Sequence, residues 1–165
     1  MWKFALVGLM LVSCGQLPPS VEPVIPYDAE IEKKIEETLD RMTLDEKIGQ
    51  MLELNVDLVG KPGSQPFEVD EALLDTVIGK YKVGSILNAP YTVAPTKEQW
   101  KVIIDAIQKK SMETMGIPCI YGLDMNHGVT YTQNGTLFPQ NINMAAAFNR
   151  ELARRGAEIT AYETR

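Results

Sequence analysis

Apolar residues recur along this chain in two rhythms, one at three- to four-residue spacing and one in short unbroken runs, and the two alternate. From Tyr27 to Met42, the positions Ile31, Ile35, Leu39 and Met42 stand four, four and three apart with Glu and Lys between them. That spacing predicts an amphipathic helix whose charged run is its solvated face. Thr43-Leu44-Asp45-Glu46 has the Thr-x-x-Glu form of a capping box. The helix it opens is expected to turn Leu44, Ile48, Met51 and Leu52 inward, with Gly49 allowing close approach. Leu52 to Val59 alternates Leu54, Val56 and Leu58, which predicts a first strand. Gly60 to Pro66 is a loop by its Gly and Pro content.

Asp70 to Tyr81 predicts a helix burying Leu73, Leu74, Val77 and Ile78, and Val83 to Leu87 a second strand ending at Asn88. A second capping box, Thr96-Lys97-Glu98-Gln99, opens a helix to about Met115 with Trp100, Ile103, Ile104, Ile107 and Met112 as its core stripe. Trp100 could serve as a sugar-stacking platform, but helical spacing with isoleucines assigns it to packing. Gly116 ends the helix. Past the run Ile117–Gly128, Asn134-Gly135 is a turn signal. Asn141 to Phe148, with its triple alanine, suits tight packing. Asn149 caps a last helix, Arg150 to Arg165, with Leu152, Ile159 and Ala161 inward.

Strands alternating with helices imply a parallel sheet, as a doubly wound sheet or a (β/α)8 barrel. The run Ile117-Pro118-Cys119-Ile120-Tyr121-Gly122-Leu123-Asp124-Met125-Asn126-His127-Gly128 organises the rest. Bounded by Gly and Pro, it reads as a strand buried on both faces. Asp124 follows its carboxyl end, where α/β folds place their ligands. His127, the only histidine, lies three residues on. The competing reading makes Asp124 a turn cap and His127 a packed loop residue. No Gly-rich phosphate loop, no G-x-S-x-G elbow and no His/Cys zinc cluster occurs, so no cofactor and no metal is expected.

Met1-Trp2-Lys3 and the apolar stretch Phe4 to Val12 fit a secretion signal, being shorter than the ~20 residues of a spanning helix. Leu11-Val12-Ser13-Cys14 resembles the cleavage box of bacterial lipoproteins, which implies an acylated Cys14 and residues 1–13 as the signal. Pro18, Pro19, Pro23 and Pro26 make residues 14–26 an extended tether, leaving 27–165 for the fold. Cys119 is then a lone core thiol. A net charge of −6 and a pI near 4.9 speak against nucleic acid as partner. Membrane contact is expected only through a lipid anchor at Cys14.

Five segments also resemble, in order, the amino-terminal domain of glycoside hydrolase family 3. They are Met42 to Met51, Gly84 to Leu87, Gly122 to Gly128, Thr136 to Gln140 and Ala145 to Asn149. The resemblance implies an α/β fold, the first part of a (β/α)8 TIM-like barrel incomplete in this chain. It also implies exo-acting, retaining β-glucosidase chemistry on β-linked oligosaccharides, with no cofactor. Asp124 matches the family's aspartate that hydrogen-bonds hydroxyls of the terminal sugar, and His127 a histidine expected to shape the loop beneath it. Phe138-Pro139 is expected to set a loop at the barrel's top, and Asn88 is a further subsite candidate. The nucleophile and acid/base are expected downstream, so this chain is read as a fragment without catalytic residues. A lipid-anchored, non-catalytic carbohydrate-binding module is the alternative, and either would work in the bacterial cell envelope, periplasmic or at the outer membrane.

Overall fold

A computed structural model of the chain describes residues 26–90 and 93–165. The expected signal peptide, nearly all of the tether, and Cys14 lie outside the described residues. The chain divides between Arg41 and Met42. On the amino-terminal side, helix α1 spans Ala29–Arg41. Asp28 opens it, its Oδ1 accepting from the backbone N–H groups of Glu30 and Ile31 at 2.9 and 3.2 Å. None of its residues is buried.

The second unit is built on three short parallel strands, β1 (Glu53–Asn55), β2 (Ser85–Leu87) and β3 (Ile120–Gly122), in the order β1-β2-β3. Glu53 aligns with Ser85 and Ile120, Leu54 with Ile86 and Tyr121, and Asn55 with Leu87 and Gly122. Helix α2 (Leu44–Gln50) precedes β1, and α3 (Glu71–Leu74) continues through a widened turn, Asp75–Lys80, toward β2. Helix α4 (Lys97–Met115) joins β2 to β3, and α5 (Asn141–Ala146) and α6 (Arg150–Thr164) follow.

The core lies on one face of the sheet. Ile86 at the sheet's centre packs with Val56, Val59, Leu74, Ile78, Val83, Ile103, Ile107 and Cys119, and Leu54 and Tyr121 lie against them. Burying each such aliphatic side chain contributes about 1.5–3 kcal/mol. The opposite face carries Glu53, Asn55, Ser85, Leu87, Ile120 and Gly122, none of them buried. Strands laid down in chain order with helices on one face only are the opening βα repeats of a (β/α)8 barrel.

The two capping boxes form as their sequences predict. Glu46 accepts from the Thr43 N–H at 2.8 Å while the Thr43 hydroxyl accepts from Glu46 N–H at 3.3 Å. Gln99 and Thr96 repeat the exchange at 2.8 and 3.2 Å. Gly116 closes α4 with φ +67°.

Elsewhere the structure corrects the pattern. The first strand ends at Asn55, whose side chain accepts from Asp57 N–H at 2.9 Å. Val56–Val59 is a tight 3-10 turn that buries both valines and exposes Leu58, because a three-residue spacing suits one face of such a turn. Helix α2 meets its neighbours through backbone rather than a stripe. Gly49 sits against the Tyr81 and Lys82 carbonyls, and Leu44, Ile48, Met51 and Leu52 are exposed. The inward face of α4 runs Ile103, Ile107, Ser111, so Met112, a further 100° round, is exposed. Helix α5 buries nothing, and α6 buries only Gly156, with Leu152 exposed. Strand β3 is covered on one face only, leaving Ile120 71% exposed.

Candidate functional site

Two hydrogen bonds of the Gln108 side chain fix where β3 begins. Its Nε2–H donates to the Cys119 carbonyl at 2.7 Å and its Oε1 accepts from the Cys119 N–H at 3.0 Å. Burial pushes the Cys119 thiol up to about 11, so it stays protonated at neutral pH and does not act as a nucleophile. Tyr121, at the centre of β3, donates its hydroxyl to the Asn88 carbonyl at 2.6 Å. Burial raises the pKa of that hydroxyl. Trp100 meets the Tyr121 ring edge-on at 5.8 Å and donates its indole N–H to the Tyr131 carbonyl at 3.1 Å. Trp100 is therefore a strut between α4, β3 and the loop after β3.

Asn88 takes a positive φ of +78° just past β2, and its N–H donates to the Gly122 carbonyl at 3.1 Å. That bond fixes the carboxyl end of β3. Two residues later stands Asp124, exposed, its carboxylate without a hydrogen-bond or ion-pair partner among the described residues. It rises from the carboxyl rim of the sheet, free to accept.

The chain beyond Asp124 folds back as a hairpin. Val129 N–H donates to the Thr136 carbonyl at 2.9 Å and Phe138 N–H to the His127 carbonyl at 2.8 Å. Gly128, at φ +102°, is needed there, since a Cβ would stand 2.1 Å from the Thr136 carbonyl oxygen. His127 adds its ring to this zipper. Its Nδ1 lies 3.2 Å from the Phe138 carbonyl and its Nε2 3.0 Å from the Gln140 amide nitrogen. A carbonyl only accepts, which assigns the proton to Nδ1 and leaves Nε2 to accept from Gln140. Both ring nitrogens are thereby engaged by protein groups.

Three further ties hold the hairpin. Besides the Trp100 bond, Gln133 N–H donates to the Pro95 carbonyl and Gln133 Nε2 to the Ala94 carbonyl, each at 2.9 Å. Glu163 of α6 accepts from both the Thr136 N–H, at 2.9 Å, and the Thr136 hydroxyl, at 2.6 Å. The Thr136 hydroxyl and then its N–H hold the Glu163 carboxyl below the usual carboxylate range. Sequence reading passes over Glu163, one acid among several on a solvated helix, and no periodicity distinguishes it.

A cavity of about 180 Å³ lies among the loops after the three strands, lined by Phe67, Pro90, Pro95, Gln99 and Gln133. A second, of about 400 Å³, lies by α5 and α6 with Met144 and Phe148 on its wall. Asp124 lines neither. What the geometry offers is one wall of a site. A carboxylate stands there with two free oxygens, able to accept two hydroxyl hydrogen bonds of the charge-assisted kind. Among the described residues no three His, Cys, Asp or Glu side chains group as a metal site, and no helix is long and apolar enough to cross a membrane.

Residues 43–165 match the family described as Glycosyl hydrolase family 3 N terminal domain. A lysosomal beta glucosidase of Dictyostelium discoideum is 34% identical over 139 residues, which cover 79% of this chain and 17% of that protein. A periplasmic beta-glucosidase of Salmonella typhimurium is 29% identical over 129 residues, 78% of this chain and 14% of its own length. Among solved structures, the Q683A mutant of an exo-1,3/1,4-beta-glucanase from a Pseudoalteromonas species superposes with a TM-score of 0.67 at 27% identity. The match covers 86% of this chain and 22% of that one. The chain thus spans less than a quarter of the length of these relatives.

Proposed function

Since the chain belongs to glycosyl hydrolase family 3, we propose that the whole protein is an exo-acting, retaining β-glucosidase-type hydrolase that releases terminal β-linked glucose from oligosaccharides. The observation that carries this reading is Asp124, an exposed carboxylate with no protein partner among the described residues, at the carboxyl end of β3. In this role it binds hydroxyls of the terminal sugar. Retention needs two more carboxyls about 5–5.5 Å apart, one nucleophile and one acid/base, and neither is assigned to a residue of this chain. Both ring nitrogens of His127 are occupied, which supports a shaping role beneath Asp124 rather than proton transfer.

The test is turnover of 4-nitrophenyl β-D-glucoside by the full-length protein, with the anomer released followed by NMR. Asp124→Ala is expected to lower kcat/KM at least 100-fold while the thermal midpoint stays put. Near-parental turnover in that variant would remove Asp124 from the site. Binding of β-linked oligosaccharides without any hydrolysis would favour the non-catalytic module instead.

We further propose that Cys14 carries lipid and that residues 14–26 tether the fold to the bacterial envelope. The sequence Leu11-Val12-Ser13-Cys14 after an apolar stretch and the four prolines that follow support this. Metabolic labelling with palmitate, abolished in Cys14→Ser, tests it; an unlabelled parent protein refutes it.

A further inference from the structure

We propose that Glu163 is a positioning residue for Asp124, holding through Thr136 the far anchor of the loop from which that carboxylate projects. This rests on the reading of Asp124 as a sugar-binding group. Asp124 stands in a short span, residues 123–126, between two fixed points. The near one is Gly122, whose carbonyl accepts from Asn88 N–H at 3.1 Å. The far one is the segment His127–Val129, which is zipped to Thr136–Phe138 by the backbone bonds from Val129 and Phe138.

Within that second leg, Glu163 spends both carboxylate oxygens on one residue, Thr136. Such paired, charge-assisted bonds fix an orientation as well as a distance. The contact is transmitted stiffly, because the Thr136 carbonyl lies where a Cβ of Gly128 would be, with no slack between the legs. Phe138, two residues further along the same leg, packs near Gly156 on α6. Helix α6 thus reaches the Asp124 loop by one polar grip and one apolar contact, and the polar grip sets its register. Releasing it loosens the far anchor, which the Trp100, Gln133 and His127 bonds hold only in part, while leaving β3 and the helix-side core untouched.

The experiment uses the full-length protein and two variants, Glu163→Ala and Thr136→Val, the second removing only the hydroxyl bond. Hydrogen exchange at the Val129 and Phe138 amides is expected to speed up tenfold or more in Glu163→Ala and less in Thr136→Val. With 4-nitrophenyl β-D-glucoside, kcat/KM is expected to fall about tenfold in Glu163→Ala, chiefly through KM, with partial rescue in Glu163→Gln. Placed on an Asp124→Asn background, Glu163→Ala is expected to cost less than twofold more, the non-additivity of residues acting through one another. Unchanged exchange at both amides overturns the proposal, as does an equal loss on both backgrounds. If the parent protein turns over no β-glucoside, the hydrolase reading fails on its own, and exchange still decides whether Glu163 holds the loop.

Discussion

Gln108 on α4 and Cys119 before β3 exchange a reciprocal pair of hydrogen bonds, side-chain amide to backbone amide, at 2.7 and 3.0 Å. A glutamine in this position behaves like a short extra strand, satisfying a backbone N–H and C=O that the sheet does not reach. Cutting it back to alanine strands both groups beside the core at about 1–3 kcal/mol each. Gln108→Ala is therefore expected to lower unfolding free energy by about 2–6 kcal/mol in urea melts. A loss within experimental scatter would show that water replaces both bonds.

Gly49 is the second structural test. A Cβ there would stand 2.1 Å from the Tyr81 carbonyl oxygen and 2.8 Å from that of Lys82. Gly49→Ala is expected to be destabilising by about 1–3 kcal/mol, as overpacking usually is. Gly116→Ala is the contrast, since space is open there and only the positive φ resists. A larger loss at Gly116 than at Gly49 would contradict the packing described.

Cys119 gives a pH dependence with a definite sign. Burial raises its folded-state pKa from 9.0 to about 11. Below the unfolded pKa the thiol is neutral in both states and its stabilising contribution is intact. As pH rises from 9 to about 11 the unfolded chain ionises first, and that contribution is lost. Stability is expected to fall over this window, and Cys119→Ala to flatten the fall. Iodoacetamide at pH 8 is expected to label the thiol only after denaturation.

His127 offers the sharpest separation of shape from chemistry. With Nδ1 on Phe138 and Nε2 on Gln140, removing the ring loosens the hairpin without removing a proton carrier. His127→Ala is expected to lower kcat/KM of the full-length protein by about ten- to a hundredfold while leaving the midpoints of its pH profile where they were. Loss of one limb of that profile would make the imidazole an acid or base after all.

How much can be read from the chain alone varies with how local the cause is. The ends of helix α4 and its Ile103–Ile107 stripe are legible, because its capping box, apolar spacing and terminal Gly116 all lie within twenty-one residues of one another, although Met112 falls off the inward face. Asp124 is legible as a strand-end carboxylate because a short apolar run bounded by Gly and Pro announces its own ends. What eludes the pattern depends on distant partners. Leu44, Ile48 and Met51 have helical spacing yet face out, since the backbone around Gly49 takes the contact. The grip of Glu163 on Thr136 spans 27 residues, and on a charged helix nothing local distinguishes that glutamate from its neighbours.

For anyone diversifying the loop that carries Asp124, Gly128 divides it into two kinds of position. Met125 and Asn126, between the anchors, can be randomised at modest risk, because neither is buried. Position 128 admits no side chain unless the Val129–Thr136 bond opens, so libraries that include it will be dominated by misfolded members.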